Sequence, residues 1–484
     1  FSISRKRKAS STAKQDVTAK KQNSRTRRTP APSDKSVIPR SRHPISRKNI
    51  DKDACTIMRR LNQHGHKAYL VGGAVRDLYL GKLPKDYDIA TDATPSRLRK
   101  LFRNCRIIGR RFKIAHIFYG TKIIEVATFR QSADKDSGDS GNSAEGIVRS
   151  ESGIILRDNA YGTPKEDARR RDLTINGLFY DMKTFSVLDY VNGVRDLKAR
   201  VVRMINDPDV SFAEDPVRML RAVRHAARTG FEVEDKTMDS IIRNHPDILQ
   251  ANSSRLLEEL LKDLRSGAAA PFFKALFQAH LLGDLLPTLS DQLAEHRGKH
   301  PFWRRMEALD DLVQSGKEFS TPTCLSMLLF TTFFEEEKMW SSSARISDKA
   351  RSRLLRNFQK STSSLQIYRR YTERILQVAR HLSSFHYQLQ QDKIPSKWLG
   401  KNYAPEVLDC LEIELESLGK NPDQLKKWRK ICDQEHRKRE EKRGKRQEEN
   451  GENENENAQG GRRRPRRRGG RRRGRRGRGG KKTD

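Results

Sequence analysis

The chain has 484 residues and a formal net charge of +37, a length that suits roughly two to four domains and a sizeable core. No apolar run reaches the ~18 residues that a membrane-spanning helix needs, so no span is expected. Five cysteines with no Cys-x-x-Cys pair and one left over argue against a disulfide scaffold and for a reducing compartment.

The charge is concentrated at the ends. Residues 1–50 hold 15 Lys/Arg against 2 Asp, and residues 462–484 hold 14 against 1. Such arms bind polyanions by counterion release, and RNA, DNA and an acidic membrane surface all qualify. Residues 1–40 are basic, low in complexity and without periodicity, and are expected to be disordered. The chain starts at Phe1 without a Met, so residues upstream of this numbering are expected. The arm's Arg, Lys and Ser content has some flavour of a transit peptide but lacks regular apolar spacing.

Ala54, Ile57, Met58 and Leu61 give Asp51–His64 a helical stripe. Tyr69–Val71 is an apolar run that stops at Gly72 and Gly73, and Ala74–Leu80 reads as a helix ended by Gly81 and Pro84. This strand–turn–helix can bring backbone N–H groups to an anion. Tyr87, Ile89 and Thr91 then alternate with Asp86, Asp88 and Asp92, a strand with three carboxylates on one face.

Residues two apart on a strand point the same way, which lets Asp86 and Asp88 bridge two hard divalent cations. Two such ions stabilise the attacking and leaving oxygens of an in-line displacement at phosphorus. Asp-x-Asp alone is usually a solvated strand edge. The glycine turn, Arg76, Asp77 and the apolar frame around it make the segment far more specific.

The segment resembles the signature of class II nucleotidyltransferases of the DNA polymerase β superfamily, which hold the tRNA CCA-adding enzymes and the bacterial poly(A) polymerases. The resemblance implies an α+β fold: a polymerase β-like head with a small mixed sheet, then an all-helical neck, body and RNA-binding region between disordered basic termini. It implies that Asp86 and Asp88 hold two Mg²⁺ ions and that Gly72, Gly73 and Arg76 hold the triphosphate of ATP.

Ser96–Asn104 reads as a short helix and Cys105–Tyr119 as a strand pair with interleaved basic residues, among them Arg110 and Arg111, which are expected to meet RNA. Glu125 lies between Ile124 and Val126 on the next strand, Thr121–Arg130. It is either a third metal ligand or a strand-face charge. Gln131–Gly153 is rich in Ser, Gly, Asp and Asn and is expected to be a long mobile loop.

Arg169–Asn176 resembles the second family motif, Arg-Arg-Asp-x-Thr-Ile-Asn. It implies that Arg171 meets the triphosphate, while Asp172 and Asn176, four apart on one helix face, complete the site. A helix-terminal Asp favoured by the dipole is the plain alternative. Phe185–Val202 suggests a hairpin turning at Asn192 and Gly193.

From Phe212 a helix with Pro216 in its first turn presents Asp215, Arg218 and Arg221 at successive i, i+3 positions. These are either surface ion pairs or a reader of adenine or cytosine, in which Asp215 accepts from the exocyclic amine and Arg218 donates to the ring. The stretch resembles the family's base-selecting motif Glu-Asp-x-x-Arg, with Arg221 and, more weakly, Arg224 next along it.

Beyond Asp235 the pattern is helical, including Pro271–Leu286 and Leu365–Leu389, whose Tyr368 and Tyr371 read as core rather than as RNA-stacking groups. An acidic Glu448–Glu456 spacer and an Arg/Gly tail, Arg462–Lys482, close the chain, the latter expected to be a disordered RNA tether. The expected partition is 1–40 arm, 41–190 catalytic head, 191–265 neck, 266–440 body and 441–484 tail.

Ile107–Ile114, Val37–Arg40 and Ile45–Lys48 resemble the polyadenylating branch. The implied function is polyadenylation of RNA 3′ ends from ATP, in the cytoplasm and in RNA turnover. The implied partners are messenger, regulatory and decaying RNAs and RNA-degradation machinery. The alternatives are CCA addition to tRNA, or RNA binding and annealing by a protein with an inactive head.

Overall fold

The computed structural model describes residues 36–109, 113–131, 147–149, 155–158, 161–296, 298–334, 348–391 and 393–460. Strands β1 Ser36–Ile38, β2 Ala68–Val71, β3 Asp88–Thr91, β4 Cys105–Ile108, β5 Ile114–Tyr119 and β6 Lys122–Thr128 are followed by β7 Ile147–Arg149 and β8 Ile155–Asp158. The last strands of the head are β9 Leu178–Asp181 and β10 Ser186–Asp189. Apart from the β7–β8 pair these form one eight-stranded mixed sheet in the order β1-β10-β9-β2-β3-β6-β5-β4. Its neighbours are antiparallel except β3 and β6, which run parallel with Ile89 opposite Val126.

Helix α1, Lys52–Gln63, starts where the Asp51 carboxylate accepts from the backbone N–H of Asp53 and Ala54, and buries Ala54, Cys55, Ile57, Met58 and Leu61. Helices α2 Gly73–Tyr79, α3 Pro95–Leu101 and α4 Pro164–Arg170 complete the head. Thr163 and Glu166 close a reciprocal capping box on α4.

The helical part comprises α5 Gly193–Ala199, α6 Pro208–Glu214, α7 Val217–Thr229, α8 Asp235–Asn244, α9 Ser253–Leu264, α10 Ala269–Gln278, α11 Leu281–Leu285 and α12 Pro287–Glu295. It continues with α13 Pro301–Gln314, α14 Thr321–Phe334, α15 Asp348–Ser361, α16 Arg369–Gln390, α17 Ser396–Leu399, α18 Ala404–Ser417 and α19 Asp423–Gly460. A short parallel pair, β11 Val201–Val202 with β12 Glu232–Val233, joins the regions. Helix α14 is apolar all round, with Thr323–Leu329 buried throughout, and so occupies the centre of the body against α16 and α18. Arg305 on α13 donates to Glu414 on α18 at 2.5 Å within that core.

Several expectations change. Ser36–Ile38, assigned to the disordered arm, pairs with β10 at the sheet edge. β7 lies inside the stretch read as loop and pairs with β8. Phe185–Val202 is not a hairpin at Asn192 and Gly193: the hairpin is β9–β10, and Asn192 in the left-handed region (φ 61°) starts α5. A Cβ on Gly193 would fall 2.1 Å from the Thr174 carbonyl oxygen, so close packing rather than a strand turn explains that glycine. His280, also left-handed at φ 62°, splits Pro271–Leu286 into two helices. Residues 441–460 of the expected tail continue α19. Tyr368 is exposed, with Arg370 over both its ring and that of Tyr371, while Ile375 and Leu376 on the same helix are buried.

All five cysteines are buried and unpaired. Among the described residues no helix is long and apolar enough to cross a membrane.

Candidate active site

The parallel register of β3 and β6 puts Asp88 beside Glu125 on one sheet face, with strands about 4.8 Å apart. Asp86 lies two residues upstream of Asp88. On the other side of Glu125, His116 of β5 brings its Nε2 to 3.2 Å from the carboxylate. Protein atoms crowd the Asp88 carboxyl although one edge stays open to solvent. That partial desolvation, then repulsion from Glu125 and Asp86, pushes it up to about 6, against the pull of Arg171 and Arg221.

Carboxylates that repel one another in this way favour a divalent cation, and an all-oxygen donor set suits a hard one. Among the described residues no group of three or more His, Cys, Asp or Glu side chains is placed to hold a metal by itself. The Asp pair fits an ion such as Mg²⁺, which takes one or two carboxylates and completes its shell with substrate phosphate and water. Asp92 stands apart at the other end of β3, accepting from Lys67 N–H at 3.0 Å.

Gly72 precedes α2 with φ 68°, and a Cβ there would sit 3.2 Å from Arg171 Nη1. Arg171 is braced by Asp167 one turn earlier at 3.0 Å and stacks over Phe179 at 5.2 Å. A fixed cation therefore stands beside the glycine turn, near enough to act on the Asp88 carboxyl.

Arg76, expected at the triphosphate, lies beside the glycine turn, its Nη2 3.5 Å from where a Cβ on Gly73 would be, and is largely engaged by protein partners. It donates to Asp77 at 2.8 Å, to Asn176 Oδ1 at 2.9 Å and to His225 Nδ1 at 3.1 Å. Buried at 8 % exposure, it clamps α2 to α7 and to the 3-10 turn Thr174–Asn176. Asn176 is accordingly a buried partner of Arg76. Asp172 and Asn176 share no helix face, because α4 ends at Arg170 and Asn176 closes that 3-10 turn.

Asp172 accepts from Arg221 Nε and from Leu173 N–H at 2.9 Å. Burial alone would raise its carboxyl. The Arg221 guanidinium, with the Leu173 N–H, overcomes this and holds it well below the usual range. His225 is kept neutral by burial and by Arg76 and Arg221, which suits the acceptor role of its Nδ1.

Asp215 and Arg218 are not paired with each other. Arg255 of α9 grips both Asp215 oxygens at 2.8 and 2.9 Å, while Arg218 donates to Glu214 at 3.0 Å and to the Ser211 carbonyl at 3.2 Å. Arg224, the weakest of the expected nucleotide contacts, is held by buried acids. Its Nε donates to Asp263 at 2.8 Å and its Nη1 pairs with Glu259, all three side chains buried, so it fastens α7 to α9. Arg110, Arg111 and the tail Arg462–Lys482 lie outside the described residues.

The sequence reading missed Arg255, His225, His116 and Asp167. Only Asp167 left a signal, a carboxylate four residues before Arg171 on a helix.

The family model for the Poly A polymerase head domain matches residues 68–203, which carry the glycine turn, Asp86, Asp88 and Asp172. A second model, described as the probable RNA and SrmB-binding site of polymerase A, matches residues 230–293. Poly(A) polymerase I of Escherichia coli O6:H1 is 48% identical over 271 residues, 56% of this chain and 57% of the relative.

Residues 68–293 are thus similar to the head and the adjoining segment of poly(A) polymerases.

Poly(A) polymerase I of Haemophilus influenzae is 41% identical over 54% of this chain and 57% of its own length. The CCA-adding enzyme of Bacillus licheniformis is 32% identical over 48% of this chain and 55% of its own. The chain thus spans little more than half the length of the curated relatives it matches. Among solved structures, the Bacillus stearothermophilus CCA-adding enzyme in complex with CTP superposes with a TM-score of 0.57 at 22% identity, over 78% of this chain and 81% of that one. That likeness shows a shared fold, a mixed-sheet head followed by helices.

Proposed function

We propose that this protein is a poly(A) polymerase, transferring AMP from ATP to an RNA 3′-hydroxyl with release of pyrophosphate. The carrying observation is the crowded Asp88 carboxylate, flanked by Glu125 and Asp86 and faced by Arg171 beside the Gly72 turn.

Asp86 and Asp88 would hold Mg²⁺, which would activate the hydroxyl and stabilise the departing pyrophosphate. Glu125 on the adjacent strand adds to the negative charge that favours such an ion. Arg171 meets the triphosphate beside the glycine turn. The Asp172–Arg221 pair fixes the wall between head and α7. Asp215 accepts from the adenine amino group and Arg218 donates to the ring, once ATP displaces part of the contacts that Arg255 and Glu214 now make. In this scheme residues 41–190 carry the chemistry, 191–265 read the base and 266–440 carry the RNA.

An Asp–Arg pair of this kind accepts adenine or cytosine and rejects uracil and guanine, so it leaves CCA addition as the second reading. Relatives named poly(A) polymerase I at 41% and 48% identity, against 32% for a CCA-adding enzyme, support the first. So does the cationic chain composition, which grips RNA without demanding one folded shape. A cytoplasmic site of action and a role in RNA turnover with the degradation machinery follow from this reading.

The test is purified protein with Mg²⁺, a generic RNA with a free 3′-hydroxyl, and each nucleotide alone. Long tails with ATP alone support the proposal. Addition of C and then A, on tRNA only, replaces it with the second reading, and no incorporation favours an RNA-binding protein with an inactive head.

A further inference from the structure

A pocket of about 470 Å³ opens between α10, α12 and α13, remote in sequence from the head and used by no step above. Its volume lies in the range of small-molecule and cofactor sites. Lys274 and Phe277 stand at i, i+3 on the outer face of α10, whose inner face packs on α7. Trp303 of α13 meets Phe277 edge-to-face at 6.5 Å, and both rings are half-buried, each keeping surface open to the pocket. Trp303 is braced from behind by the buried Phe302 at 5.3 Å.

The rim is cationic. Lys274 lies over the Trp303 ring at 5.9 Å and neutralises Glu307 at 2.7 Å, while Lys299 and Arg304 are exposed beside it. Fixed aromatic faces ringed by Lys and Arg match a nucleobase with its phosphate: the base stacks on the ring and the cations take the backbone. Lys274 is paired with Glu307 and Arg304 lies 3.8 Å from Glu414, so Lys299 is the rim cation most available to a phosphate. Stacking tolerates every base, as a strand of varied sequence requires.

We propose that this pocket takes an unpaired base of the RNA strand upstream of its 3′ end, holding the strand on the body while the end lies in the head. Helix α10 connects the two regions, since it packs against α7, the helix of Arg218 and Arg221, and offers its opposite face to the pocket. The inference rests on the RNA reading above. It adds Trp303, Lys299 and Arg304, which lie beyond the matched RNA-binding segment of residues 230–293.

The experiment titrates the full chain with oligo(A) RNA blocked at its 3′ end and follows tryptophan emission, with Trp303→Phe isolating the Trp303 signal. Oligo(A) is expected to quench the Trp303 component. Trp303→Ala is expected to weaken RNA affinity about fivefold or more. Lys299→Glu, at an exposed position that carries no folding burden, is expected to weaken it as well and to flatten its salt dependence. AMP alone should leave the signal unmoved. If AMP quenches as strongly as the oligomer, the pocket is a free-nucleotide site and the strand proposal fails. An unmoved signal, with unchanged affinity in both variants of a protein that still extends RNA, overturns the pocket and leaves the enzyme reading intact. A wild-type chain that neither binds nor extends RNA overturns both.

Discussion

Arg255 holds Asp215 by both carboxylate oxygens, at 2.8 and 2.9 Å, across 40 residues of sequence. The acid proposed to read adenine is thereby oriented by a helix that does not belong to the motif. Replacing Arg255 with Ala should lower the ATP-over-CTP preference and raise the ATP KM, because Asp215 loses its fixed direction. The stability cost should be about 1–2 kcal/mol, toward the low side for charge-assisted bonds at a partly exposed site. Arg255→Lys keeps the charge but not the fork and should restore stability better than selectivity. Steady-state kinetics with each nucleotide, alongside thermal melts, separate the two effects.

Asp88 carries a pH signature. Its folded pKa, pushed up to about 6 by desolvation and its acidic neighbours, lies above the ordinary Asp value of about 3.9, so its ionised form disfavours the fold. Asp88→Asn should therefore melt higher than the parent above pH 6, and the gap should close as pH falls toward 4. Mg²⁺ at pH 8 should raise the melting temperature of the parent and not of the variant, a readout independent of turnover. Adenylation by the variant should fall by more than about 100-fold, the upper end for loss of a ligand-supporting contact.

Arg224 tests the opposite assignment. Removing one partner from a buried ion network typically costs about 3–5 kcal/mol, and Arg224→Ala would leave Glu259 and Asp263 facing each other without it. Denaturant melts should show that loss. The ATP KM of the folded fraction should stay where it is, whereas a nucleotide contact would move it.

Gly72→Ala puts a side chain at φ 68°, a backbone state that costs about 1–3 kcal/mol for residues other than glycine. Its Cβ would also press on Arg171 at 3.2 Å. We expect a higher ATP KM with the RNA affinity unchanged, checked by kinetics and filter binding.

What could be read in the sequence was local. α1, α2 and the strand before Gly72 follow from apolar spacing and punctuation within a dozen residues. The neighbouring of Asp88 and Glu125 depends on a parallel register between strands that are not consecutive, which no local pattern encodes. A motif records that Arg76 and Arg224 are present, not which protein groups they hold. Asn176 and His225 around the first, and Glu259 and Asp263 around the second, come from distant parts of the chain. Asn192 and Gly193 look like a strand turn by composition, and only the Thr174 carbonyl packed against Gly193 explains why they open a helix instead.

The five sheltered thiols make the chain its own opening clock. Burial raises all of them, Cys324 and Cys432 to about 11, so alkylation in the native state waits for exposure. Cys55 and Cys105 sit in the head, and Cys324, Cys410 and Cys432 in the body. Mass spectrometry of pulse-alkylated protein would thus time the breathing of each half separately, with no label introduced, and show which half ATP quietens and which RNA does.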